Sequence, residues 1–148
     1  MVKAAGETGE VKDIGLFATT LHTPNNEMIT LPNGAVTAGN ITNYTRLGTR
    51  RVAIPVSVAY GTNLARAQEV LLQAALACKL VLKDPGPAIV LTNFAPSSLE
   101  FSVVAWARTG DFGDMQDQLR RAIYESLNKA HFDIPFPRTI VEQVQAHA

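Results

Sequence analysis

The sequence holds a single cysteine, Cys78, so no disulfide can close within the chain and no cysteine cluster can bind a metal. Cys78 continues the helical spacing of Leu64, Ala67, Leu71 and Ala75, which reads as a small buried hydrophobe. Long apolar runs are also missing. A membrane-spanning helix takes about 20 mostly apolar residues. The best uncharged runs, 28–45 and 52–65, both carry Pro, Asn and Gly, and neither can cross a bilayer. Charge of either sign is not in excess: Lys and Arg number 13, Asp and Glu 13, for a net charge of zero. A nucleic-acid binder would show a basic stripe, so DNA and RNA are not expected partners. The first ten residues are polar and carry glycine, unlike the apolar stretch of a secretory leader. Glycines never cluster ahead of a Lys-Ser or Lys-Thr pair, so no phosphate-cradling loop is present.

Catalytic groups are equally scarce. His22, His131 and His147 do not pair with one another or with a carboxylate at ligand spacing. Asp111, Asp114 and Asp117 surround the start of an expected helix, where acids complement the macrodipole. Ser97-Ser98 has no base nearby and reads as turn chemistry. An enzyme is not expected, and no cofactor or metal is implied.

What is present is a change of pattern near residue 50. From 9 to 46, three β-type runs (11–21, 28–31 and 40–44) are separated by Thr23-Pro24-Asn25-Asn26, Pro32-Asn33-Gly34 and Gly39. Pro fixes φ, and Asn and Gly tolerate left-handed backbone, so these are turns. Short strands at close spacing suggest a small barrel or sandwich. Residues 1–8 read as disordered. From Val52 on, strands and helices alternate. Val52, Ile54, Val56, Val58 and Tyr60 share one strand face. Gly61-Thr62-Asn63 turns and caps a helix over 64–78. Asp84-Pro85-Gly86-Pro87 is a loop, 88–94 a strand, and 95–98 a tight connection. Leu99, Phe101, Val103, Ala105 and Ala107 face one way on a third strand, Val104 and Trp106 the other. A second helix over 113–130 buries Met115, Leu119, Ile123 and Leu127, with Asp117–Arg121 and Glu125–Lys129 pairs on its wet side. A last strand over 139–144 gives the order βαββαβ, which is ferredoxin-like. The expected class is α+β, mainly β in its first part.

The residues of 9–51 also carry a resemblance. Gly-x-Val-x-x-Ile-x-Leu-Phe-x-Thr-Thr from Gly9, then Thr-Pro-Asn-Asn, Leu-Pro-Asn-Gly and Gly-Asn-Ile-x-Asn-Tyr are similar to the middle β domain of the small-conductance mechanosensitive channel (MscS) family. Arg50-Arg51, Val58-Ala59-Tyr60, 80–85 and Ile134-Pro135-Phe136-Pro137 continue it. The resemblance implies an Sm-like barrel at 9–46 with its first strand missing and a native start upstream of Met1. A ferredoxin-like domain at 50–137 and a tail at 138–148 follow, the tail a possible barrel strand. On that expectation the edge at 11–21 is open.

The resemblance further implies the soluble vestibule of a mechanosensitive ion channel, on the cytoplasmic side of the inner membrane. Seven copies would enclose a chamber that filters ions and small osmolytes during hypo-osmotic shock, and the membrane segment of the parent protein would be absent here. Pro32, Asn33 and Gly34 would then lie at a domain junction, and Arg50 and Arg51 near a portal. Trp106 becomes a candidate subunit contact. The other reading is a stand-alone small-molecule or RNA-binding module. RNA is disfavoured because Phe101 and Trp106 fall on opposite faces and cannot form one stacking platform.

Overall fold

The fold is that of a computed structural model, which describes residues 1–132. The expected strand at 139–144, the 138–148 tail and the extended Ile134–Pro137 piece lie outside the described residues. The chain is mixed α+β with two antiparallel sheets. It divides into two units: one holds Met1–Arg50 and Arg108–Gly110, the other Arg51–Ala107 and the residues from Asp111 on.

The first unit contains β1 (Val2–Ala4), β2 (Glu7–Ile14), β3 (Ala18–His22), β4 (Met28–Pro32), a short helix α1 (Asn33–Thr37) and β5 (Thr42–Asn43). The sheet order is β4-β3-β2-β1-β5. Residues 1–8 are therefore ordered, against the expectation of disorder. Ala5 and Gly6 both take positive φ (48° and 86°), the backbone that a two-residue hairpin turn requires, and Ala4 pairs with Glu7 across it. The run at 11–21 is two strands, because Gly15-Leu16-Phe17 turns the chain and the Gly15 amide donates to the Ala18 carbonyl at 2.8 Å. The expected open edge at 11–21 is corrected for its second half, because β3 pairs with both β2 and β4. β2 pairs with β1 at Glu7–Gly9 and with β3 from Glu10 to Ile14, handing over between two partners. The handover leaves no room at Gly9: a Cβ there would sit 2.9 Å from the His22 carbonyl oxygen. The 23–27 loop closes through Thr23, whose hydroxyl donates to the Glu27 carboxylate and accepts from the Glu27 amide.

The second unit is built from β6 (Thr49–Val58, whose first two residues belong to the first unit), α2 (Leu64–Ala77), β7 (Ala88–Ala95), β8 (Ser98–Arg108) and α3 (Phe112–Lys129), with sheet order β6-β8-β7. Val52, Ile54, Val56 and Val58 are buried on one face of β6 as their alternation predicts. Tyr60 departs from that pattern. It lies past the end of β6, half exposed, and its hydroxyl donates to the Ala95 carbonyl at 2.6 Å. The Asn63 side chain caps α2 by accepting from the Arg66 amide. Leu71 of α2, Phe101 and Val103 of β8, and Met115 and Leu119 of α3 are all exposed by 1% or less and form the centre of one core. Burying a side chain of that size contributes about 1.5–3 kcal/mol. β7 and β8 join through a two-residue turn, Pro96-Ser97, with Ala95 opposite Ser98. On the wet side of α3, Asp117 and Arg121 form the expected ion pair at 2.7 Å, which raises the Arg121 pKa.

Candidate functional site: an open apolar surface in the β unit

No three metal-ligating side chains gather among the described residues, and no helix there is long and apolar enough to cross a membrane. The feature that stands out is apolar. In the first unit only Ala4 and Leu21 are buried hydrophobic residues. Ile14, Leu16, Phe17, Met28, Ile41 and Leu47 are all more than half exposed, with Leu16 at 84% and Phe17 at 81%. A cavity of about 390 Å³ opens in the same unit, lined by Val2, Val11, Ile14, Leu21, Leu31 and Ile41, with Thr19 and Asn33 on its wall. Singly exposed apolar residues are ordinary; six large ones on a unit with two buried apolar residues stand out from that background.

Asn33 fixes the shape of this surface. Its Nδ2 donates to the carbonyls of Gly15 (2.9 Å) and Leu16 (3.1 Å), and its Oδ1 accepts from the Thr19 hydroxyl at 2.8 Å. Its backbone amide donates to the Phe17 carbonyl at 2.8 Å. Four hydrogen bonds from one residue hold the turn that projects Leu16 and Phe17. Pro32 ends β4 and precedes the first turn of α1, where its missing N–H costs no helical bond. Gly34 is exposed, and a Cβ there would meet nothing within 4 Å, so its position does not demand glycine on steric grounds.

The remaining expected site residues divide between the units. Arg50, in the first, lays its guanidinium over the Tyr44 ring, 4.7 Å from the centroid. The Tyr44 carbonyl accepts from the Thr109 hydroxyl at 3.5 Å and the Gly48 carbonyl from the Thr109 amide at 2.9 Å, which ties 108–110 to this unit. Arg51, in the second, is exposed on β6. Trp106 is half-buried on the face of β8 turned away from the helices, and its carbonyl accepts from the Leu82 amide at 2.8 Å. His22 is half-buried, with Nε2 2.9 Å from Asn26 Oδ1. Sequence reading passed over Ile14, Leu16 and Phe17 as a surface. The signal was there: two large apolar residues directly after a glycine, inside what proves to be a turn.

Two family models match the two units. The model for "Mechanosensitive ion channel, beta-domain" matches residues 1–46, and that for "Mechanosensitive ion channel MscS, C-terminal" matches residues 52–134. The chain belongs to the MscS family. Its similarity to the small-conductance mechanosensitive channel of Edwardsiella ictaluri is 36% identity over 146 residues, covering 99% of this chain and 51% of that protein. Against the Helicobacter pylori small-conductance mechanosensitive channel it is 26% identical over 137 residues, covering 92% of this chain and 50% of that protein. The crystal structure of H. pylori MscS in the closed state superposes with a TM-score of 0.92 at 25% identity, over 98% of this chain and 58% of that one. Arabidopsis thaliana MSL1, at 15% identity and a TM-score of 0.76, shares the fold over 93% of this chain and 51% of its own. The chain thus spans about half the length of the MscS relatives it matches.

Proposed function

We propose that this chain is the vestibule portion of a mechanosensitive ion channel, lying on the cytoplasmic side of the cell membrane. Copies assemble, seven to a ring, around a chamber that passes ions and small osmolytes toward the pore during hypo-osmotic shock. The work is done by shape and assembly, without catalysis. Membership of the MscS family supports the reading, and the observation that carries it is the apolar surface of the first unit. A unit with two buried apolar residues and six large exposed ones is incompletely packed by itself. Neighbouring copies supply the missing cover, as the cores of obligate oligomer interfaces do. Within this reading Trp106 lies at a subunit contact, and Pro32, Asn33, Gly34, Arg50 and Arg51 at the junctions that border the chamber.

The test is a double substitution, Leu16→Ser with Phe17→Ser, compared with wild type by light scattering and circular dichroism. Both side chains are more than 80% exposed, so the single-chain fold loses little contact. The expected result is an unchanged spectrum with a fall in assembled mass. An unchanged assembly would remove these residues from the interface.

A further inference from the structure

Asn33 and Gly34 form the only Asn-Gly pair in the sequence. A role in assembly uses the pair's position and not its chemistry. An asparagine followed by glycine can react with itself, because no side chain on the glycine shields the amide nitrogen that attacks. Gly34 is exposed, and a Cβ on it would meet nothing within 4 Å, so solvent reaches the pair. It is the second residue of α1, and its N–H is among those that a helix leaves without an intrahelical partner. The Asn33 side chain is the opposite case. Nδ2 donates to the carbonyls of Gly15 at 2.9 Å and Leu16 at 3.1 Å. Oδ1 accepts at 2.8 Å from the hydroxyl of Thr19, a residue only 7% exposed. These bonds commit the carboxamide to residues 15, 16 and 19. Asn33 Cγ can meet the Gly34 nitrogen in attack geometry only after the carboxamide swings out of them.

We propose that Asn33-Gly34 is a self-modification site, a deamidation whose product releases the turn presenting Leu16 and Phe17. The Gly34 amide nitrogen attacks Asn33 Cγ and gives up its proton. The new N–Cγ bond closes a succinimide ring as the Cγ–Nδ2 bond breaks, and Nδ2 leaves as ammonia with that proton. Water then adds to one ring carbonyl and opens the ring to aspartate or isoaspartate, with no change of oxidation state. The aspartate product has a carboxylate where the amide stood, and an ionised carboxylate only accepts hydrogen bonds. Its second oxygen would face the Gly15 and Leu16 carbonyl oxygens where Nδ2 now donates, so two hydrogen bonds become two repulsive contacts. Only the Thr19 bond survives, on the other oxygen. In the isoaspartate the main chain runs on through Cβ and Cγ, which breaks the regular backbone of α1 at its first residue. The same side-chain bonds therefore delay the reaction and make its product disruptive.

The experiment incubates the full chain at mildly alkaline pH and follows Asn33 by peptide mapping in a mass spectrometer, with amide hydrogen exchange over 15–18 on the same samples. Thr19→Val, close to isosteric on its strand, removes one of the bonds that hold the carboxamide. It should convert about fivefold faster than wild type, the factor that one net hydrogen bond supplies. Gly34→Ala, whose methyl crowds the attacking nitrogen, should stay unconverted over the same time and keep its exchange pattern. Converted wild type, and Asn33→Asp made directly, should both exchange faster at 15–18 than fresh wild type. Equal conversion of Thr19→Val and wild type overturns the proposal, because the bonds then do not restrain the reaction. So does conversion of Gly34→Ala at the wild-type rate, or no conversion at Asn33 even in Thr19→Val. Unchanged exchange at 15–18 in Asn33→Asp and in the converted chain overturns the release of the turn.

Discussion

The Thr19 hydroxyl donates to Asn33 Oδ1 at 2.8 Å, joining two residues that the sequence places fourteen apart. Asn33 uses its remaining amide hydrogens on Gly15 and Leu16. The turn that presents Leu16 and Phe17 is thus held from the start of α1. Replacing Asn33 by Ala removes three side-chain hydrogen bonds, each contributing about 1 kcal/mol, so urea unfolding should show a loss of about 2–3 kcal/mol. Gly34→Ala, one residue on, should be neutral or stabilise by up to about 1 kcal/mol, because it replaces a helical glycine where space is open. Equal effects from the two substitutions would mean that the Asn33 bonds do not hold the turn.

Gly9→Ala probes the handover of β2 from β1 to β3. The new Cβ would press on the His22 carbonyl at 2.9 Å and on Leu21 Cβ at 3.1 Å, and the first of these is backbone. We expect a destabilisation of about 1–3 kcal/mol, the usual range for overpacking. Thermal melts that match wild type would show that the two strands separate at little cost.

How much of this was legible in the sequence varied with the kind of signal. The second unit was read well because its period-two and period-3.6 stripes fall on single buried faces. Val52 to Val58 and Met115 to Leu127 lie where their spacing put them. The first unit was read less well because its turns are unusual. Ala5 takes a left-handed backbone that glycine or asparagine more often occupies, so the β1–β2 hairpin gave no signal. The turn at Gly15-Leu16-Phe17 carries apolar side chains where turns are usually polar, which fused β2 and β3 into one expected strand. The same apolar pair is exposed at the surface, so the misread turn and the overlooked site share one cause.

Acid should weaken the β2–β3 hairpin slightly. Lys12 lies 2.7 Å from Glu10, and its hydrogen bond and then its charge hold the Glu10 carboxyl below its ordinary value of 4.5. A carboxyl with a lowered folded-state pKa contributes stability above pH 4.5 that is lost as pH falls through the folded value. Both side chains are exposed, so the effect is small and is screened by salt. In low salt, Glu10→Gln should make the decline of stability below pH 4.5 shallower than in wild type. Parallel profiles would show that the pair contributes nothing.

Phe101→Ala tests where the fold's stability resides. Phe101 is 1% exposed at the centre of the second unit, and its loss should cost about 3–5 kcal/mol in chemical unfolding. A cost under about 1 kcal/mol would mean that the core collapses around the gap.

The mass of the purified chain in solution, by multi-angle light scattering, tests the central claim most directly. Seven copies of 15.9 kDa make an assembly of about 111 kDa, and that is the mass the vestibule reading predicts. A single species at 15.9 kDa, unchanged up to the highest soluble concentration, would contradict it.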